Sequence, residues 1–280
     1  MANRRMFLEN LGKGAAFSSL VLSLPTPVFS QIKGTAKNKV VGIIGAENSH
    51  TQHFGLMFNE LKQFPGWEAK YVWGETDEFA QRAKEKGKIP IIVKDPMEMM
   101  GKIDALIVDQ RNGDEHLPAA TPFVKAGIPT FIDKPFCFSS AAAKEFLDMA
   151  KKVGTPVTSY SSIAHSYATE DIRKQLDEIG DVNQITCYGK ADINSVYGGI
   201  YFYGVHMVEP LLYYFDDRVV TARVNKNEKD DLNSTASLVF ENGRMATLII
   251  TSKKYGWQTF VETVEGVVEL KSRVEKVEPD

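Results

Sequence analysis

The sequence predicts an α/β protein in two parts. The first is an N-terminal Rossmann-type, doubly wound parallel sheet over residues 38–158. The second is a C-terminal α+β domain over 159–280, with a mostly antiparallel sheet. Three observations carry this. From residue 39, short apolar runs alternate with helical patterns, as parallel βαβ units do. The first run, "KVVGIIG", ends on Gly45 where a helix pattern follows. After about residue 160 the helices thin out and alternating strands take over.

The elements of the first half follow in order. "VVGII" (40–44) is a continuous apolar run, as a strand covered on both faces requires. Ser49 is the expected N-cap of the next helix, whose Phe54, Met57, Phe58 and Leu61 fall at helical spacing. "PGW" (65–67) ends it. "EAKYVW" (68–73) reads as a strand and "DEFAQRAKEKG" (77–87) as a helix stopped by glycine. "IPIIV" (89–93) is a short strand, and "DPMEMM" (95–100) opens with Asp before Pro like a helix start. "DALIVD" (104–109) is a strand, "HLPAATPFVKAG" (116–127) a helix, and "PTFIDKP" (129–135) a strand entering a turn. "SAAAKEFLDMAKKVG" (140–154) is a helix with a serine cap and a glycine stop, and "TPVTSY" (155–160) closes the series. In the second half, "ATEDIRKQLDEIG" (168–180) reads as a helix. "VNQITCYGKADI", "VVTARVN", "TASLVFENGRMATLIITS" and "TFVETVEGVVELKS" read as strands and hairpins.

Composition narrows the function. The chain has 280 residues, 43% hydrophobic and 25% charged, which suits two modest globular domains. Its net charge of −3 offers no basic excess for a nucleic-acid partner. The two cysteines, Cys137 and Cys187, fall in different halves and are expected to be free and buried. Residues 1–30 have the order of a secretory signal: Arg4, Arg5 and Lys13, then an apolar run from Ala15 to Leu24, then small or moderate residues at Val28 and Ser30. "NRRMFL" resembles a twin-arginine export motif, which implies a periplasmic bacterial enzyme exported already folded, with no membrane attachment once the signal is removed.

Doubly wound sheets bind ligands at the carboxyl ends of their strands. There lie "GAENSH" (45–50), "DQRNGDEH" (109–116) and "DKPF" (133–136), with "GGIYFYGVHMVEPLLYYF" (198–215) in the second half. Together these resemble the Gfo/Idh/MocA family of glucose–fructose oxidoreductase and inositol dehydrogenase relatives, over roughly residues 39–270. The resemblance implies an NAD(P)-binding Rossmann domain joined to an α/β substrate domain. The family's E-K-P motif maps onto Asp133, Lys134 and Pro135, its T-P-N-x-x-H loop onto "DQRNGDEH" with His116 in register, and its G-x-H onto Gly204 and His206. The family's acid falls on Phe202.

The implied chemistry assigns roles. Lys134 polarises the reacting oxygen and His206 exchanges its proton, with Tyr203 as a third candidate catalytic residue. Without the acid, His206 must be tuned by Tyr201, Tyr203 or Glu209. Tyr160, His165 and Tyr201 are candidate substrate contacts. The expected cofactor set is Gly45, Glu47, Asn48, Ser49, His50, Glu75, Arg111, Asn112, His116, Asp133, Lys134 and Pro135. The fingerprint's second and third glycines are replaced by Glu47 and His50, so an altered approach to the pyrophosphate is expected. NAD or NADP is the expected cofactor, and Glu75 after the second strand favours NAD because a carboxylate repels a 2′-phosphate. His50 and His53 in "HTQH" have metal-compatible spacing but no placed third ligand, so no metal is expected.

Three functions stay open. The first is an exported NAD(P)-dependent oxidoreductase for a sugar, polyol or glycoside. The second is a glycosidase or lyase that retains its NAD and oxidises a sugar carbon transiently. The third is a Rossmann shell that binds a carbohydrate or partner without redox chemistry. Self-association through the open face of the second sheet is a further expectation.

Overall fold

The computed structural model describes residues 38–180, 182–226, 233–251, 257–263 and 266–273. The signal-like residues 1–30 lie outside them.

The first sheet has six parallel strands: β1 (Lys39–Ile44), β2 (Trp67–Trp73), β3 (Ile91–Ile92), β4 (Ala105–Val108), β5 (Thr130–Ile132) and β6 (Val157–Thr158). Their spatial order is β3-β2-β1-β4-β5-β6, so β1 and β4 are neighbours and the order reverses between them. The crossovers are α1 (His50–Asn59), α2 (Asp77–Gly87), α3 (His116–Lys125) and α4 (Ser140–Val153). Phe54 and Phe58 of α1 and Ala83 of α2 pack with Val41, Ile43 and Val72 on one face. Phe123 of α3 and Phe146 of α4 pack with Ile44, Leu106 and Ile132 on the other. Burial on both faces is why β1 and β4 are almost wholly apolar.

The second sheet is formed by β7 (Gln184–Lys190), β8 (Val219–Lys226), β9 (Asn233–Phe240), β10 (Met245–Thr251), β11 (Gln258–Thr263) and β12 (Gly266–Leu270), in the order β12-β11-β7-β10-β9-β8. The β7–β10 pair is parallel and the other pairs are antiparallel. Helices α5 (Tyr167–Ile179) and α6 (Tyr201–Phe215) contribute Leu176, Met207, Leu211 and Phe215 to its core with Ile185, Leu248 and Val261. The period-2 alternation of buried and exposed residues along β7 and β9 puts the other side chains on the opposite face.

Several local expectations change. Ser49 makes no side-chain cap; the Asn48 side chain accepts the His50 N–H instead. "DPMEMM" forms a 3-10 turn, Pro96–Met99, closed by a reciprocal Asp95–Glu98 capping box, and not an α-helix. Ser139, one residue earlier than expected, caps α4. Both cysteines are free; Cys187 is buried, which pushes its thiol up to about 12, while Cys137 is only half-buried.

Candidate active site

The exits of β1, β4 and β5 lie side by side because those strands are adjacent. Gly45 makes this possible. It has φ +109°, and a Cβ there would lie 2.4 Å from the Gln110 nitrogen and 2.5 Å from the Asp109 carbonyl carbon. Only glycine lets the β1 exit rest on the β4 exit in this backbone conformation.

The turn that follows is clamped from both sides. The backbone N–H groups of Ala46 and Glu47 both donate to Glu75 Oε2 at 2.8 Å. Arg82 Nη2 donates to the Ala46 and Glu47 carbonyls at 2.7 and 2.9 Å. Consecutive N–H groups converging on one carboxylate oxygen form an anion-binding nest. Glu75 Oε1 is buried without a partner. The Glu47 side chain reaches the second half of the molecule: its Oε1 accepts the Tyr197 hydroxyl at 2.5 Å and lies 3.7 Å from Arg111 Nη1. The Arg111 guanidinium stacks 4.1 Å from the Tyr197 ring centre and 5.4 Å from that of Phe202.

Beyond this turn, five side chains converge. Thr51 donates to Asp109 Oδ2 at 2.5 Å. Asn48 Nδ2 donates to Asp109 Oδ1 at 2.9 Å and to Asp133 Oδ2 at 3.2 Å. His50 Nδ1 lies 2.8 Å from Asp133 Oδ2. Burial, then the charge of Asp133, raises the Asp109 carboxyl well above the ordinary range. Burial works the same way on Asp133, but the hydrogen bond and charge of His50 outweigh it and hold Asp133 below the ordinary range.

Lys134 follows Asp133 and turns toward α6. Its Nζ sits 4.6 Å from the Phe202 ring centre and 5.4 Å from that of Tyr203. Burial lowers its pKa, partly offset by Asp133 and Asp109. Tyr203 in turn packs edge-on against His206, 5.6 Å between ring centres. The His206 Nδ1 lies 2.6 Å from Ser161 Oγ. Burial, followed by the charge of Lys134, pushes His206 down to about 4, so the ring is neutral at pH 7. Glu209 reaches this pair indirectly: it accepts the Ser161 N–H at 2.7 Å and approaches His165 Nε2 at 3.5 Å. Tyr160 packs between Phe131 and His165, and burial raises its phenol.

Residues 39–161 match the model described as an oxidoreductase family with an NAD-binding Rossmann fold, Gfo/Idh/MocA. No curated protein matches the sequence. Among solved structures, the chain resembles an NAD-binding protein from Listeria innocua, at 19% identity and TM-score 0.69, over 87% of this chain and 84% of that one. It also resembles myo-inositol dehydrogenase from Lactobacillus casei in complex with NAD(H) and myo-inositol, at 15% identity and TM-score 0.67, over 86% and 76% of the two chains. Scyllo-inositol dehydrogenase from the same organism, with bound NAD(H) and scyllo-inositol, gives 15% identity and TM-score 0.69 over 87% and 79%. At these identities the likeness shows the shared fold.

The turn after β1 has the chemistry of an anion site. Its Ala46 and Glu47 N–H groups hold the Glu75 carboxylate and Arg111 lies beside Glu47, so a pyrophosphate bound here would take the place of one carboxylate and meet Arg111 next to the other. Glu75 is placed differently from the sequence expectation: the carboxylate expected at a ribose hydroxyl fills the turn's N–H nest. His116 is also corrected. It is fully buried, with Nδ1 2.8 Å from the Pro135 carbonyl and Nε2 2.6 Å from the Gln110 carbonyl, so it braces two loops and has no surface for a cofactor. Pro135 is likewise buried, and it offers its carbonyl to that brace. Asn112 accepts the Asp114 N–H within its own turn. Ser49 is exposed beside the cleft. Tyr201 is exposed and stacks on Phe138, 5.3 Å between centres, beside a shallow depression of about 530 Å³ that neither Lys134 nor His206 lines. The partner of His206 is Ser161, which the sequence reading missed; nothing in "TSYSS" marks it, and only the fold brings it to α6.

Proposed function

We propose that this chain is an NAD-dependent dehydrogenase of a sugar, polyol or glycoside. The observation that carries the reading is that Lys134, after β5, and His206, on α6, are both buried against the same Tyr203 ring, at 5.4 Å from its centre and 5.6 Å between ring centres. Lys134 would polarise the substrate oxygen and neutral His206 would accept its proton, held in orientation by Ser161. Nicotinamide supplies the hydride acceptor when bound. On the protein side, the Ala46 and Glu47 N–H groups would exchange Glu75 for a phosphate, and Arg111 would bring positive charge beside it. The inositol complexes of the Lactobacillus casei structures support a polyol as the substrate class. The leader "NRRMFL" supports export to the periplasm.

The experiment is a purification followed by denaturation and a search for released nicotinamide by absorbance. NADH is then titrated, and polyols and aryl glycosides are screened for reduction of NAD. Cofactor binding with polyol-dependent NADH formation is the expected result. No uptake of NAD(H) or NADP(H) at millimolar concentration overturns the proposal. Turnover of aryl glycosides without net NADH would transfer the reading to a glycosidase that retains its cofactor.

A further inference from the structure

Asp109 and Asp133 are two carboxylates packed together inside the protein, 0% and 4% exposed. Buried carboxyl oxygens need donors, and here Thr51 donates to Asp109 and Asn48 to both. Lys134 faces α6, and the His50 ring reaches only Asp133 closely. The arrangement around Asn48 is the second observation. Its amide nitrogen has two acceptors on one side, Asp109 Oδ1 at 2.9 Å and Asp133 Oδ2 at 3.2 Å, and lies 3.4 Å from His50 Nδ1. The imidazole nitrogen and the two carboxylate oxygens all lie within 4.8 Å of one another, with the two His50 separations at 2.8 and 3.9 Å. Donors of a tetrahedral ion with bonds of ~2.0 Å stand roughly 3.3 Å apart, so small side-chain movements bring this set to coordination distance.

We infer that His50, Asp109 and Asp133 form a binding site for a divalent first-row transition-metal ion, with Asn48 as the side chain that yields to it. The amide of Asn48 holds the position a cation would take, its N–H groups substituting for positive charge. Rotated about its terminal bond, the same amide offers a carbonyl oxygen to the ion. One imidazole with two carboxylates favours zinc, manganese or iron over magnesium or calcium, which take oxygen ligands. His50 leaves 38% of its side chain exposed, which provides a route of entry from solvent. The donors come from three places in the sequence, joined only at the exits of β1, β4 and β5. An ion here would lie on the Lys134 side of the nucleotide turn, where a Lewis acid can polarise a substrate oxygen. The inference goes beyond the dehydrogenase reading and does not depend on nicotinamide binding.

The test uses the full chain stripped with EDTA and titrated with zinc by calorimetry. A parallel titration with cobalt, read in the visible spectrum, reports ligand number and geometry. Both are done without nicotinamide. The expected result is one ion per chain, with affinity weakened at least tenfold in His50→Ala and in Asp133→Asn, and unchanged in His53→Ala, whose ring is exposed on the same helix. Absence of saturable binding, or binding that His50→Ala leaves intact, overturns the site. His50 is half-exposed and its replacement is tolerated by the fold, so it decides the matter even if Asp133→Asn does not fold. Circular dichroism of the metal-free variants verifies that they are folded.

Discussion

Tyr197 donates a 2.5 Å hydrogen bond to Glu47, tying the turn after β1 to the segment that leads into α6. Glu47 stands where the fingerprint has its second glycine, yet its charge is engaged by Tyr197 and Arg111. A dinucleotide approaching the turn at that fingerprint position would compete with this bond. A hydrogen bond to a charged group is worth ~1–3 kcal/mol. We therefore predict that Tyr197→Phe and Glu47→Gln each tighten NADH binding about fivefold or more, by fluorescence titration. Weaker binding in both would mean that the bridge organises the site.

Lys134 and His206 are predicted to act on the chemical step. Lys134→Ala and His206→Ala should each lower kcat by roughly 10²–10⁴-fold, with NADH affinity within about threefold of the parent. Ser161→Ala should lower kcat by about tenfold with little change in KM, since it only frees the His206 ring. Full activity in both Lys134→Ala and His206→Ala would refute the assignment.

His206 also predicts how stability depends on pH. Its pKa falls from 6.5 in the unfolded chain to about 4 in the fold, so the unfolded state binds the proton first. The stability it contributes is fully present above pH 6.5 and is lost as pH falls toward 4. Between pH 7 and 5 the loss is ~2 kcal/mol, taking 1.36 kcal/mol per pKa unit. Urea unfolding at the two pH values checks this. His206→Gln should reduce the drop; an unchanged drop would place its cause elsewhere.

His116 is predicted to matter for stability. Its ring nitrogens meet the Pro135 and Gln110 carbonyls, and it is 0% exposed. His116→Ala opens a cavity and strands two carbonyls, for a loss of roughly 2–4 kcal/mol. The denaturation midpoint should fall accordingly. A loss of cofactor affinity with unchanged stability would restore the direct contact that the sequence suggested.

Much of the fold was legible because burial on both faces writes itself as continuous apolar strands, and a half-buried sheet writes itself as alternation. "VVGII" and "DALIVD" became β1 and β4, and "TASLVF" entered β9. Short pieces were less legible. "IPIIV" supplies only Ile91–Ile92, and "DPMEMM" closes as a 3-10 turn because Asp95 and Glu98 satisfy each other's backbone within one turn. The site was readable where a motif fixes a position relative to a strand end, as with Gly45, Asp133 and Lys134.

By itself the sequence determined the order of strands and helices, the glycine at the β1 exit and the lysine at the β5 exit, since these depend on local patterning and backbone conformation. Tertiary structure alone decided what those residues meet. It put Glu75 into the turn's N–H groups, Tyr197 onto Glu47, Phe202 under Lys134 and Ser161 beside His206, and it gathered Asn48, His50, Asp109 and Asp133 at one point. Those partners are 28 to 150 residues apart in the chain for the first two. No period or spacing encodes such contacts; they follow from which strand ends the sheet order brings side by side, and from which face of α6 closes over them.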